Sequence, residues 1–254
     1  MIYIEQIPVM NDNYIYILVD KSTNQTACVD PGVTSEVINY LDNKNLGLNF
    51  ILNTHHHADH IGGNITLKKR YGCKVVGNKN DADRIPGIDI FMEEGDQLSI
   101  GNSVCSILEV SGHTNGHISY FFEKDFALFC GDTLFSLGCG RLFEGTPSQM
   151  VRSLKKIRSL PDDTKIYCAH EYTEANSRFA NYLTPDDSLL KKKIIEIKEK
   201  RSRNIPTIPT ILSEEKKLNP FLRFDDKSYL DSIGMDFMSS SVNFGRIRKL
   251  KDQF

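Results

Sequence analysis

Short apolar runs separated by Gly, Asn and Asp fill the first 170 residues of the chain. Runs of about four to eight residues between turn residues are typical of β-strands. The pattern predicts strands at Tyr3–Pro8, Tyr14–Asp20, Thr26–Asp30, Asn49–Asn53, Lys74–Gly77, Gln97–Ile100, Val104–Val110, Ser119–Phe122, Ala127–Cys130 and Lys165–Cys168. Helix-like stretches lie at Thr34–Lys44, Gly62–Tyr71 and Pro147–Leu160. Many strands with few helices favour a sheet-rich α/β sandwich over alternating βαβ units.

The pattern changes after His170. Glu174–Leu183 and Ser188–Arg203 are helix-like, and the remainder is interrupted by prolines and is predicted to be irregular. We therefore predict two domains, a larger one over residues 1–172 and a smaller, mainly α-helical one over residues 173–254.

Composition narrows the class of protein. Hydrophobic residues make up 40% and charged residues 25% of the 254 residues, which is typical of a globular protein and excludes a disordered or collagen-like chain. No stretch approaches the roughly 18 uncharged apolar residues of a membrane helix, so we expect no membrane association.

Cysteine usage and the first residues indicate the compartment. The six cysteines form no Cys-x-x-Cys pair and are too sparse for a disulfide scaffold, so we interpret them as small buried side chains, with Cys139 the least clear case. Glu5, Asp12 and Asp20 precede the first basic residue, Lys21. A signal peptide begins with basic residues and a transit peptide is rich in Arg, so we expect a cytoplasmic protein.

The formal net charge of −2 conceals an uneven distribution. Residues 1–172 carry 15 Lys and Arg against 21 Asp and Glu, net −6, and residues 173–254 carry 16 against 12, net +4; all seven His lie in the first part. The basic run over residues 191–203 is interleaved with Ile and Glu. This favours a solvated helix face over a nucleic-acid patch, and we expect no nucleic-acid partner.

A histidine cluster follows the apolar run at residues 50–53. Residues 55–60 read His-His-His-Ala-Asp-His. Imidazoles so crowded would repel one another when protonated and would lack partners when buried and neutral. Neutral imidazoles converging on a divalent cation avoid both problems, so the cluster predicts a metal site.

Further candidate ligands lie just after other predicted strands. His113, Asp132 and His170 each follow an apolar run within a few residues. Ligands gather at the carboxyl ends of strands in open α/β sheets, so we expect these segments to converge with the cluster. Seven nitrogen and oxygen donors exceed the three or four of one tetrahedral zinc and suit two metals that share a carboxylate.

The order His-x-His-x-Asp-His, then His, Asp and His, resembles the metallo-β-lactamase superfamily. Within it, the chain is similar along essentially its whole length to the hydroxyacylglutathione hydrolase (glyoxalase II) family. The resemblance is carried by residues 11–14, 138–146, 170–173, 219–223 and 251–254. It implies a metallo-β-lactamase-like αββα sandwich, the catalytic domain, followed by a smaller, mainly α-helical, substrate-binding domain.

The resemblance also implies the role of each ligand. His55, His57 and His113 would hold one metal, Asp59, His60 and His170 the other, and Asp132 would bridge both, with the attacking hydroxide held between the metals by Asp132 and Asp59. Zinc fits this ligand set, and iron and manganese also accept imidazole and carboxylate. His56 and His117 fall outside the ligand pattern, and we expect supporting or packing roles for them.

The same resemblance implies a binding wall for glutathione, formed by Arg141, Phe143, Tyr172, Asn176, Arg248 and Lys251. Many family members have Tyr at the position of Phe143, so one hydrogen bond to the tripeptide would be missing. Arg141 stands where others carry Lys, which keeps the charge and changes the donor geometry. By itself the basic run over residues 245–251 is equally consistent with a frayed, solvated tail. An anionic tripeptide gives those charges a use.

The implied reaction is hydrolysis of S-2-hydroxyacylglutathione, such as S-D-lactoylglutathione, to a 2-hydroxy acid (D-lactate) and glutathione in methylglyoxal detoxification. Separately, we expect a monomer. Other hydrolases of the superfamily, a β-lactamase or a phosphodiesterase acting on RNA, are less consistent with the 138–146 segment and with Arg248 and Lys251. A mononuclear iron persulfide dioxygenase is less consistent with residues 170–172 and the helical second domain. A non-enzymatic binding protein would be expected to have lost ligands, and all seven are present.

Overall fold

The computed structural model describes residues 1–254, which divide into two compact units. The first consists of Met1–Glu109 and Asn115–Gly131, and the second of Val110–Thr114 and Asp132–Phe254. The units meet in the chain near residues 110, 115 and 132. The predicted domain boundary at residue 172 stays a prediction.

The first unit contains ten strands and three α-helices. The strands are β1 (Ile2–Val9), β2 (Asn13–Asp20), β3 (Thr26–Val29), β4 (Phe50–Leu52), β5 (Lys74–Asn78), β6 (Ile88–Met92), β7 (Gln97–Ile100), β8 (Ser103–Glu109), β9 (Ile118–Phe122) and β10 (Ala127–Gly131). The helices are α1 (Ser35–Lys44), α2 (Ala58–Ile61) and α3 (Asn64–Tyr71).

Two sheets and two helices form the core of this unit. Strands β1 to β6 are neighbours in chain order, antiparallel from β1 to β3 and parallel from β3 to β6, and β7 to β10 form an antiparallel succession. Successive side chains of a strand point to opposite faces. In β2, Ile15, Ile17 and Val19 pack with α1 and α3, whereas the Tyr16 ring lies 5.3 Å from that of Phe129 in β10.

The second unit is mainly helical. Its strands are β11 (Leu134–Phe135), β12 (Gly138–Cys139), β13 (Lys165–Cys168) and β14 (Thr210–Ile211), and its helices are α4 (Pro147–Arg158), α5 (Thr173–Leu183), α6 (Ser188–Ser202), α7 (Leu212–Leu218), α8 (Lys227–Ser232) and α9 (Ser240–Gln253). A small apolar core around Leu137, Ala180 and Ile197 joins the β11–β12 hairpin to α5 and α6.

The ten predicted strands and five predicted helices are present, with shifted ends. Helix α4 begins as expected: the side chain of Thr146 accepts a hydrogen bond from the backbone N–H of Gln149, the Gln149 side chain accepts from the backbone N–H of Thr146, and Pro147 follows the cap. All six cysteines are buried and free, including Cys139. None of the helices combines the length and apolar character that crossing a bilayer demands.

The prediction of an irregular carboxy-terminal region is wrong, because α7, α8 and α9 lie there. Phe244 and Ile247 are fully buried on one face of α9, and the Asn243 side chain donates to the carbonyl of Phe224 at 3.0 Å. The helical spacing of the buried Phe244 and Ile247 is difficult to recognise in the sequence, because basic residues lie between and after them. The run over residues 245–251 is therefore part of a packed helix, and the frayed tail is excluded.

We expect Phe244→Ala to lower the free energy of unfolding by about 3–5 kcal/mol, because truncating a buried aromatic ring loses burial and leaves a cavity. Val242→Ala is the matched control on the same helix, since Val242 is 41% exposed, and it should change stability by less than about 0.5 kcal/mol. Urea unfolding followed by circular dichroism measures both. Equal, small effects would contradict the packing of α9.

Candidate metal centre

The first donor set follows β4, where residues 54–57 lead into the short helix α2. His55 Nε2 lies 3.0 Å from His57 Nδ1, and His60 Nε2 lies 3.4 Å from Asp59 Oδ2. His55 and His60 are buried, and His57 and Asp59 are half-buried. The turn after one parallel strand thus brings four predicted ligands together, as ligand sites at carboxyl ends of strands require.

Asp30 orients this set and was missed in the sequence. It is buried directly after β3, accepts hydrogen bonds from the backbone N–H and the hydroxyl of Thr54, at 2.8 and 2.6 Å, and lies 3.1 Å from His60 Nδ1. A carboxylate on one ring nitrogen fixes the tautomer and leaves the other nitrogen for a metal. The end-of-strand rule that selected Asp132 could also have selected Asp30.

His56 and His117 make supporting contacts. His56 Nδ1 lies 3.0 Å from Asp81 Oδ2, and Asp81 is fully buried. The His117 ring stacks on that of His55 at 4.6 Å, with 15° between the ring planes. These contacts agree with the supporting roles expected from the sequence.

The second unit brings the other three predicted ligands together around one carboxylate. His113 Nε2 lies 3.4 Å from Asp132 Oδ2, and His170 Nε2 lies 3.4 Å from Asp132 Oδ1. His113 Nδ1 lies 2.8 Å from the carbonyl of Arg141, to which it donates in the tautomer that leaves Nε2 free for a metal. Each oxygen of Asp132 therefore faces a different imidazole.

Gly140 permits this arrangement. A Cβ at position 140 would lie 1.9 Å from the backbone oxygen of Asp132 and 3.0 Å from His113 Nδ1. Only glycine allows the chain to pass so closely behind two donors.

The distances between donors fit divalent cations. Zinc bonds of about 2.0–2.1 Å to nitrogen and oxygen place two ligands of one tetrahedral ion roughly 3.3–3.4 Å apart. The separations of His113 and His170 from Asp132, and of His60 from Asp59, are all 3.4 Å, whereas His55 and His57 are closer, at 3.0 Å. The donor chemistry, imidazole with carboxylate, also suits zinc, iron or manganese.

A cavity of about 680 Å³ lies in the second unit and contains His113 and Asp132. It is lined by every residue predicted to bind the substrate: Arg141, Phe143, Tyr172, Asn176, Arg248 and Lys251. Arg178, Asp252 and Phe254 line it as well and were not predicted. Arg178 follows Glu174 by one helical turn, a spacing typical of a solvated ion pair. This spacing does not indicate a binding role for Arg178.

Arg248 and Lys251, one turn apart on α9, differ in environment. Arg248 is 6% exposed; its Nε and Nη2 donate to Asp252 Oδ1 at 3.1 and 2.9 Å, and its Nη1 donates to the carbonyl of Cys139 at 3.0 Å. Lys251 Nζ lies 5.2 Å from the centre of the Phe179 ring. Burial, and then the nearby cations Arg248, Arg178 and Arg141, lower the pKa of Lys251 to about 8.

Aromatic side chains flank the two imidazoles beside Asp132. The ring of Phe143 is 64% exposed and meets His113 edge to face at 5.1 Å. Tyr172 stacks on His170 at 4.7 Å, with ring planes 1° apart. The missing hydrogen bond from position 143 to the tripeptide stays a prediction.

Comparisons with known proteins identify the family of the chain. The family model "Metallo-beta-lactamase superfamily" matches residues 12–170, and "Hydroxyacylglutathione hydrolase C-terminus" matches residues 171–254. The hydroxyacylglutathione hydrolases of Methylococcus capsulatus and Pelagibacter ubique are each 47% identical to the chain, over 100% and 99% of its length and 99% of their own.

Solved structures show the same fold. ETHE1 from Myxococcus xanthus has a TM-score of 0.71 at 26% identity, over 97% of this chain and 90% of that one. The B3 metallo-β-lactamase BLEG-1 has a TM-score of 0.66 at 24% identity, over 87% and 99%. Fold and donor sets therefore define a metallo-β-lactamase superfamily protein, and the predicted fold class is confirmed. Within this superfamily, the chain belongs to the hydroxyacylglutathione hydrolase family, as its sequence predicted.

We expect Lys251 to lose its proton near pH 8, whereas exposed lysines titrate near pH 10.4. Nuclear magnetic resonance of protein labelled with ¹³C at lysine Cε measures each titration, and Lys251→Met assigns the signal by its disappearance. Because the folded pKa lies below that of the unfolded chain, this group makes stability rise with pH between the two values. A spectrum in which every lysine titrates above pH 10 would contradict the assignment.

Proposed function

We propose that this protein hydrolyses the thioester of S-2-hydroxyacylglutathione, with S-D-lactoylglutathione as the representative substrate, to a 2-hydroxy acid and glutathione. One observation carries the proposal: a single cavity contains two candidate metal ligands, His113 and Asp132, together with a group of cations. Hydrolytic chemistry and recognition of an anionic peptide would thus meet in one place. The family relationship supports the same substrate.

We propose that the two donor sets form one dinuclear centre. One ion would be held by His55, His57 and His113, the second by Asp59, His60 and His170, and Asp132 would bridge them. The two oxygens of Asp132, each facing a different imidazole at 3.4 Å, support the bridging role. When bound, two such cations supply a nucleophile at neutral pH and polarise the thioester carbonyl.

The side chains around the donors keep them in a metal-binding state. Asp30 and the carbonyl of Arg141 occupy one ring nitrogen of His60 and His113 respectively, which holds the imidazoles in one tautomer. The departing thiol has a pKa near 8.5, so it leaves as a thiolate. The reaction therefore needs no side chain to protonate the leaving group.

The cations of the cavity would bind the peptide portion of the substrate. Charge-assisted hydrogen bonds from Arg and Lys to carboxylates are stronger than neutral ones. Lys251 and the exposed Arg141 would contact the substrate, whereas Arg248 is held by Asp252 and by the carbonyl of Cys139 and would fix the shape of the wall. Such contacts exist before and during the reaction, so they lower KM and leave kcat nearly unchanged.

Two further expectations stay predictions. The cytoplasmic setting is supported by six free and buried cysteines, since disulfides are rare in reducing compartments. We also propose a monomer, which light scattering in solution tests.

Purified protein should release free thiol from S-D-lactoylglutathione, detected with a thiol-reactive dye. Elemental analysis should show about two metal ions per chain, and complete chelation should remove both the metal and the activity, with recovery on adding zinc. Full activity after complete metal removal would refute the mechanism. A stable content of one metal would favour a mononuclear superfamily enzyme instead.

The KM for S-D-lactoylglutathione should rise as the pH passes about 8, because Lys251 loses its charge there. Lys251→Met should raise KM about tenfold at pH 7, with kcat within about twofold, since a hydrogen bond to a charged group is lost. Lys251→Arg should keep KM low above pH 8. Lys192→Met, on the exposed surface of α6, is the control; a pH-dependent KM that persists in Lys251→Met would refute the role of Lys251.

A further inference from the structure

Arg178 of α5 is the cavity cation that the proposed binding scheme leaves unused. Its side chain is 61% exposed, and its Nη1 lies 3.5 Å from Glu174 Oε1 one helical turn earlier. Exposed ion pairs of this kind are weak and are screened by solvent. Arg178 can therefore exchange Glu174 for an anionic ligand at little cost.

The cavity wall holds more positive than negative charge. Its cations are Arg141, Arg178, Arg248 and Lys251. Its acidic side chains are Asp132, which lies between His113 and His170, and Asp252, which contacts Arg248 at 2.9 Å and reaches Arg141 only at 3.9 Å. After burial, the charges of Arg248, Arg178 and Arg141 contribute to the lowered pKa of Lys251. A carboxylate from a ligand would relieve the repulsion.

Arg178 and Lys251 stand close to one another on two helices. The ammonium of Lys251 donates to the carbonyl of Ala175 at 3.3 Å, and Ala175 lies one turn before Arg178 on α5. Both residues line the same cavity. Arg248 is a poorer partner for a ligand, because Asp252 and the carbonyl of Cys139 already occupy three of its donor contacts.

We propose that Arg178 and Lys251 together bind one carboxylate of the peptide portion of the substrate, and that Arg178 thereby sets the preference for an anionic peptide thioester over an uncharged one. This inference rests on the proposed function. Glutathione carries two carboxylates, and a second cationic contact of this kind distinguishes it from a small neutral thiol.

The test compares S-D-lactoylglutathione with the same conjugate esterified at both carboxylates. Arg178→Met should raise KM for the free acid about tenfold, as expected for one charged hydrogen bond, with kcat within twofold. For the diester, the KM values of wild type and variant should agree within twofold. Arg178→Lys should restore most of the affinity for the free acid.

Arg152→Met is the matched control. Arg152 is an exposed arginine in the middle of α4, outside the cavity, and it contacts the side chain of Ser148 one turn earlier at 3.3 Å. The substitution Arg152→Met removes the same charge as Arg178→Met. It should leave the KM for the free acid and the KM for the diester unchanged. The inference would be overturned if Arg178→Met and Arg152→Met had the same KM for the free acid. It would also be overturned if Arg178→Met raised the KM for the diester as much as the KM for the free acid.

The inference and the proposed function fail in different ways. Wild-type protein that releases no thiol from S-D-lactoylglutathione would refute the proposed function. Normal wild-type turnover with an indifferent Arg178→Met would refute the role of Arg178 alone.

Discussion

The placement of one carboxylate between two imidazoles is the constraint on which the second unit depends. Each oxygen of Asp132 lies 3.4 Å from an imidazole nitrogen, beyond the 2.7–3.2 Å range of ordinary hydrogen bonds and at the spacing of ligands on a common cation. The chain passes very close behind Asp132 and His113, which Gly140 allows. The arrangement also requires the other nitrogen of His113 to be occupied, which the carbonyl of Arg141 achieves.

The same short segment connects chemistry with recognition. The carbonyl of Arg141 orients His113, and its side chain lines the cavity. The carbonyl of Cys139, two residues earlier, accepts from Arg248 of α9. Because α9 is anchored by buried Phe244 and Ile247, its cations are held in place by apolar packing at a distance from the donors. The charge separation along the sequence, acids and imidazoles first and cations later, corresponds to these two tasks.

Much of this could be predicted from the sequence, because strands and ligands leave local signals. Apolar runs give the strands, and polar residues directly after them give His113, Asp132 and His170. Asp30 carries the same end-of-strand signal as Asp132, but it stands alone and was overlooked. Two features lacked local signals: α9 mixes cations with its buried positions, and Arg178 resembles a solvated residue paired with Glu174. In each case the role depends on which neighbours tertiary packing supplies, and propensity does not encode those neighbours.

Burial separates the parts of the cavity that are fixed from those that can change. The donors His55, His60, His113, Asp132 and His170 are buried, and several are held by a second contact, so a substitution among them disturbs packing as well as chemistry. Arg141 and Phe143, by contrast, are largely exposed. An exposed arginine or aromatic residue on the wall can therefore change while the donors stay in place. Positions 141 and 143 lie in that exposed part of the wall, whereas the candidate ligands lie in the buried part.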